Sequence, residues 1–370
     1  MAVYRIFPEK DTFIFSEASS SNAGLDEIIE VGGYYDTTGE GEASRILVQF
    51  SSTEIADIVS NKIGSSNYSA SLGIYLADAY QIPVNTTIYT YPVYSSTGGW
   101  DNGTGKYGDT PVNTLGVSWF YQKSGLGSPW LSSMFPTGVT ASFSGSKTGG
   151  GNWYTSSLYT QTASLQYRSD FDLSFNVTNT VLAWFSGSIV NNGFIVKQGS
   201  SSEFDIEKTA ELKYFSVDTN TIYPPQLEFR WSDYVFNTGS STQTFVTSSD
   251  IVVTLANNAQ QYQPESVQRF RLNVRPQFPP RVFLTSSFYT INYYLPTASY
   301  WAIKDLDTDE VVVDFDTNYT KISADSNSNY FDVYMDGLEP ERYYKILVKN
   351  TLGGSTEVLD DQYYFKVVNG

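Results

Sequence analysis

The chain has no histidine and no cysteine in its 370 residues. The first absence removes the imidazole general base and the commonest metal ligand. The second removes thiolate nucleophiles, cysteine zinc sites and disulfide staples. Most familiar catalytic and metal chemistries go with them, so no enzymatic activity and no cofactor are expected. Without cysteine, folding does not depend on an oxidising compartment, and a reducing cytoplasm is permitted. Basic residues are scarce: 22 Lys and Arg face 39 Asp and Glu, a formal charge of -17. Nucleic acids and anionic membranes are recognised by clustered Lys and Arg, so neither is an expected partner. No apolar run approaches the roughly 18 residues of a membrane span, and no basic-then-apolar leader opens the chain. A soluble protein is expected, either cytoplasmic or released without a cleaved signal.

What the chain does have is aromatic and hydroxyl side chains. Tyr (29), Phe (23) and Trp (7) make up 16% of the residues, Ser and Thr abound, and the strong helix formers are sparse. Such a mix suits pleated, half-buried surfaces, so the fold class is all-β. The length exceeds one ordinary core and points to β-sandwiches in series.

Short runs of alternating apolar and polar residues read as strands at 12–15, 46–50, 72–76 and 88–94, then at 193–197, 210–215 and 226–231. Between about 98 and 162 the composition shifts to Gly, Ser and Thr with scattered aromatics. This reads as long loops or an inserted extension, about 106–167, whose aromatic content argues against disorder. One stretch has helical spacing, with Val177, Val181 and Trp184 on one face, Asn176 or Thr178 as cap and Gly187 as stop. A single short helix is expected there. A polar run after Phe236 marks a boundary. Further strands are expected at 250–255, 269–275, 300–304, 310–314, 330–335, 343–349 and 362–368. Pro276, Pro279 and Pro280 interrupt this second part, which gives a division into a first domain at 1–236, a linker with bridging strands at 237–280, and a sandwich at 281–370.

The pattern over roughly residues 8–235 resembles the DNRLRE family, a jelly-roll module of bacterial and archaeal surface proteins close to carbohydrate-binding modules. The matching pieces are residues 11–14, 19–24, 44–50, 100–105, 175–178, 192–197 and 224–229. The resemblance implies a jelly-roll β-sandwich with one short helix, from which this chain departs by its long insertion. Residues 336–346, where Gly337, Leu338 and Pro340 lead into a strand bearing Tyr343 and Tyr344, resemble an immunoglobulin-like or fibronectin-type sandwich. Residues 269–276 and 293–304 resemble virion structural proteins of marine tailed phages with contractile tails. That likeness implies a virion location, assembly in the bacterial host cytoplasm, and other virion proteins and further copies of this chain as partners.

Trp100, Trp119, Trp130, Trp153 and Tyr154 lie in loop-like sequence. They are read first as loop anchors or interface residues, and second as a platform for host glycans, since flat rings stack on sugar faces. Arg269, Arg271 and Arg275 alternate along one strand. They would either dock an acidic patch of a neighbour or serve as ordinary sheet-surface charge. Asp305, Asp307 and Asp309 have calcium-like spacing but fit a hairpin turn better, because the glycine and closing glutamate of a helix-loop-helix calcium site are missing. A jelly-roll calcium near Asp11, Asp101 or Asp205 is the only metal the resemblance suggests. A glycosidase needs two carboxylates about 5 to 10 Å apart. Glu17, Asp26, Glu27, Glu30, Asp101 and Asp109 are present, yet nothing in the sequence pairs them, so they are read as solvated surface. The functional expectation is a virion structural or accessory protein of tail, baseplate, neck or capsid surface, working by protein contacts. The rival is a carbohydrate-binding adhesin, with a glycan-cleaving depolymerase a distant third.

Overall fold

The computed structural model describes residues 2–35, 39–80, 82, 85–124, 128–141, 148–166, 170–205, 210–239, 244–247, 250–278 and 292–368. The fold is all-β. Strands β1 (Ala2–Ile6), β2 (Lys10–Phe15), β3 (Ile28–Tyr35) and β4 (Gly41–Gln49) lead into helix α1 (Ser52–Asp57), which continues as a π-helical turn at Ile58–Ile63. Next come β5 (Tyr68–Ile74), β6 (Leu76–Tyr80), β7 (Asn85–Pro92), the short β8 (Val139–Thr140) and β9 (Trp153–Tyr154), β10 (Gln161–Gln166) and β11 (Leu173–Asn176). After α2 (Thr178–Phe185) follow β12 (Phe194–Gln198), β13 (Ala210–Phe215) and β14 (Gln226–Trp231). The rest of the chain forms β15 (Thr244–Phe245), β16 (Ile251–Leu255), β17 (Gln261–Tyr262), β18 (Val267–Pro276), β19 (Tyr293–Tyr294), β20 (Tyr300–Asp305), β21 (Val311–Val313), β22 (Ser323–Ala324), β23 (Asn329–Tyr334), β24 (Tyr343–Leu352) and β25 (Ser355–Val367).

Two compact units divide the chain: a larger one of Ile6–Gly64 and Ser69–Glu228, and a smaller one of Met1–Arg5, Ser65–Tyr68 and Phe229–Gly370. The larger unit is built on a sheet in the order β10-β7-β12-β4-β3-β13-β6, with β2 also paired to β4. In β7 the side chains alternate. Thr86, Ile88 and Thr90 are buried on one face, while Tyr89 and Tyr91 stand half-buried on the other, as the period of two requires. Every residue of β12 is buried, and so is nearly all of β4. Strands without an exposed face are covered on both sides, and on one face of β4 and β12 Leu47 and Ile195 pack with Trp100, Trp119, Trp130 and Trp153.

Helix α2 lies where the spacing places it, with Val181 and Trp184 buried and Trp184 packed on Phe194 at 4.6 Å between centroids. Asn176 Oδ1 accepts from the Thr178 amide at 3.2 Å and from its hydroxyl at 2.7 Å. Gly187 ends the helix in the left-handed region at φ +73°. The expectation of a single helix is corrected by α1 and its π turn. Ile55, Ile58, Val59 and Ile63 recur there at helical spacing and are all buried.

Among the described residues the smaller unit includes the sheets β15-β19-β18-β23-β22, with β16 paired to β18, and β17-β25-β24-β20-β21. Its core includes Phe270, Leu272, Val274, Trp301, Phe331, Tyr344 and Phe365. The expected linker at 237–280 is therefore corrected, since β18 runs through the middle of the first sheet and pairs with β23 over six residues. Phe270 is the reason: its ring meets Tyr262 at 5.6 Å and both Phe331 and Phe365 at 5.5 Å, so the segment is core. Pro276 ends β18. Pro279, Pro280, the opening of the expected sandwich at 281–291 and the end of the insertion at Tyr167 lie outside the described residues.

Candidate functional site

Four of the five loop aromatics singled out by sequence are buried together. Trp100, Trp119, Trp130 and Trp153 are 1%, 1%, 3% and 5% exposed, and they share an apolar cluster with Ile14, Ala43, Leu47, Val93, Val117 and Ile195. The indole N–H of Trp100 donates to the Asn192 carbonyl at 2.9 Å, and that of Trp130 to the Ser118 carbonyl at 3.0 Å. Lys10 sits 4.4 Å above the Trp100 ring. Tyr154 is half-buried, edge-on to Tyr94 at 5.7 Å. These rings are loop anchors. Of the two readings the anchor reading fits this burial, since Trp100, Trp119 and Trp130 present no open face on which a sugar could stack. Large rings remove more apolar area from water inside a layer than on its surface.

Beneath the anchors lies a buried charge network that the sequence reading passed over. Arg45 on β4 is 0% exposed and grips Glu203 with two bonds, Nε at 2.6 Å and Nη2 at 3.0 Å, while a third goes to the Gly150 carbonyl. Its guanidinium lies 4.5 Å from the Trp119 ring centroid. Lys197 on β12 reaches the same carboxylate at 2.8 Å and the Gln198 carbonyl at 2.7 Å. Burial pulls the Lys197 ammonium down to about 8, against the upward pull of Glu203. Gly150 is required for close approach: at φ +74° a Cβ there would lie 2.4 Å from Arg45 Nη1 and 2.7 Å from the Trp119 ring. A lone Arg or Lys inside a strand that otherwise reads as buried was the available signal, since such a charge must find a partner.

Beside this network, the covering layer leaves a groove of 720 Å³ open to solvent. Its walls carry Tyr89, Tyr91 and Trp153, its floor Lys197, and its rim Thr140, Thr155, Ser157, Thr160, Ser200 and Ser201. Tyr89 and Tyr91 stand parallel, their ring planes 4° apart at 6.1 Å. Tyr91 in turn meets Trp153 at 5.7 Å. Burial pushes the Tyr91 hydroxyl up to about 12, so it is neutral at neutral pH. Of the residues singled out by sequence, only Trp153 contributes to this groove.

The arginine stripe is satisfied within the smaller unit. Arg269 makes two bonds of 2.8 Å to Asp332, its cross-strand neighbour on β23, and its guanidinium lies 4.1 Å from the Tyr330 ring centroid. Arg271 holds Asp325 at 3.1 and 2.8 Å, and this contact brings the Asp325 carboxyl down to about 2. Arg275 donates to the Pro276 carbonyl at 3.2 Å. Arg269 and Arg271 thus find acidic partners on the neighbouring strand and in the turn before it, the role of ordinary sheet-surface charge. In the turn after β20, Asp305 Oδ1 accepts from the amides of Asp307 and Thr308, both at 2.9 Å, while Oδ2 takes Arg342 at 2.5 Å. Asp309 faces Lys304. Asp305 thus follows turn chemistry. No group of three or more acids among the described residues is placed to hold a metal ion. Asp11 is buried, accepting from Ser216 and Val217, and Asp101 accepts from the Ser124 amide.

The remaining candidate acids also have partners. Glu17 accepts from Tyr34 and Tyr107, Asp26 from the Tyr107 amide, and Asp109 from the Lys106 amide. Glu27 pairs with Lys106 and Glu30 with Lys213.

No family model matches this chain, and no curated protein does either. A solved structure of a DUF4785 family protein from Legionella pneumophila aligns over 98% of this chain and 66% of its own length, at 9% identity and a TM-score of 0.18. This chain thus spans just under two thirds of that protein, and at such a score the likeness carries no argument about fold or function.

Proposed function

We propose that this chain is a structural or accessory component of a tailed-phage virion that works by protein contacts, in company with other virion proteins and further copies of itself. The observation that supports the reading best is the burial of Trp100, Trp119, Trp130 and Trp153. A long Gly- and Ser-rich region that would otherwise fluctuate is pinned at four points to a sheet, which fixes the shape it offers to neighbours. Fixed surfaces bind neighbours at lower entropic cost than mobile ones, and in a symmetric particle each weak contact is multiplied by valency. The charged groups fit the same reading, because the candidate acids pair with lysines, tyrosines and backbone amides of the same unit. Quantitative mass spectrometry of gradient-purified virions from the encoding phage tests the proposal. Several copies of the chain per particle are expected. Its absence from particles, with the chain left among soluble lysate proteins, would overturn it.

A further inference from the structure

We infer that the groove bounded by Tyr89, Tyr91, Trp153 and Lys197 is a binding site for a neutral carbohydrate chain. Three observations converge. Its 720 Å³ falls within the roughly 300–1,000 Å³ of ordinary small-molecule sites, space for a short oligosaccharide. Its walls are aromatic and its rim is hydroxyl-bearing, the pairing that a sugar needs: ring faces for the apolar C–H side of a pyranose, and Ser, Thr and Tyr hydroxyls for its polar edge. Among the described residues its lining includes no acid.

The charge at the floor decides for a neutral ligand. Lys197 has a side chain only 3% exposed, and its ammonium is held by Glu203 at 2.8 Å and by the Gln198 carbonyl at 2.7 Å. Its ammonium is almost wholly buried and already bonded, so it stiffens the floor without being accessible to a ligand. The rim residues Thr155, Ser157, Ser200 and Ser201 are exposed, so their hydroxyls are hydrated and can exchange water for sugar hydroxyls at little net cost. The site differs from the platform expected from sequence, since its central rings, Tyr89 and Tyr91, belong to a sheet strand.

The test is affinity electrophoresis of the full chain through gels containing dextran, yeast mannan or soluble β-glucan, with alginate and dextran sulfate as anionic counterparts. Retardation by at least one neutral polysaccharide is expected, weakened at least tenfold by Tyr91→Ala. Ser200→Trp, on an exposed loop at the rim, fills the groove without disturbing the core and should weaken retardation as strongly. It decides the matter if Tyr91→Ala does not fold. No retardation by any neutral polysaccharide, retardation by the anionic ones alone, or retardation that survives Ser200→Trp would each overturn the inference. None of these outcomes bears on whether the chain is found in particles, so the assembly reading stands or falls separately.

Discussion

Glu203 answers two buried cations, Arg45 and Lys197. Taking its charge away leaves both without compensation in a dry layer, where breaking a buried pair costs about 3–5 kcal/mol. Glu203→Gln is expected to lose about that much in urea unfolding monitored by tryptophan fluorescence. Asp11 supplies a pH test. Burial raises its carboxyl from 3.8 to about 7, with hydrogen bonds from Val217 and Ser216 opposing. The folded chain therefore keeps a proton that the unfolded chain has lost between pH about 4 and 7, so this group's contribution falls as pH rises through that window. Asp11→Asn removes the dependence. The stability difference between variant and parent should move in the variant's favour from pH 4 to 7 and level off above. A difference independent of pH would show that the carboxyl ionises normally. At this scale the sequence was partly readable. The loop tryptophans were recognisable as anchors because large rings in Gly-rich sequence need somewhere to go, but which acid would meet Arg45 was not readable, since Glu203 lies 158 residues away.

Among the elements, alternation located most strands well, and β13 and β14 coincide with the runs read at 210–215 and 226–231. Two elements differ from what the sequence pattern leads one to expect. Helix α1 hid among strand signals because its apolar residues are β-branched isoleucines and a valine, which favour strands by local preference and are overruled here by packing. The segment 237–280 reads as a linker with bridging strands, and its strands at 250–255 and 269–275 are legible, whereas the burial of Phe270, Leu272 and Val274 of β18 in a core is not. Phe270→Ala should accordingly destabilise the smaller unit by about 3–5 kcal/mol, measured by denaturant unfolding. A loss below about 1 kcal/mol would return the segment to the status of a bridge. The arginines of β18 were visible as a stripe, but their acids come from β23 and the turn before it, so only the sheet's register reveals that Arg269 and Asp332 are neighbours.

At the scale of the whole molecule, an acidic chain without histidine or cysteine builds stability from layered aromatics and paired charges. On the readings proposed above, its surface meets neighbours and the open groove in the larger unit takes a ligand. The groove was illegible in sequence because it is made by strands β7 and β12 and a covering loop layer that only the fold brings together. The most direct test of the account is electron cryo-microscopy of purified particles from the encoding phage beside particles from a strain deleted for this chain. The account predicts density the size of this two-unit chain, repeated with the particle's symmetry, and missing from the deletion strain. Identical maps from the two strains would contradict it.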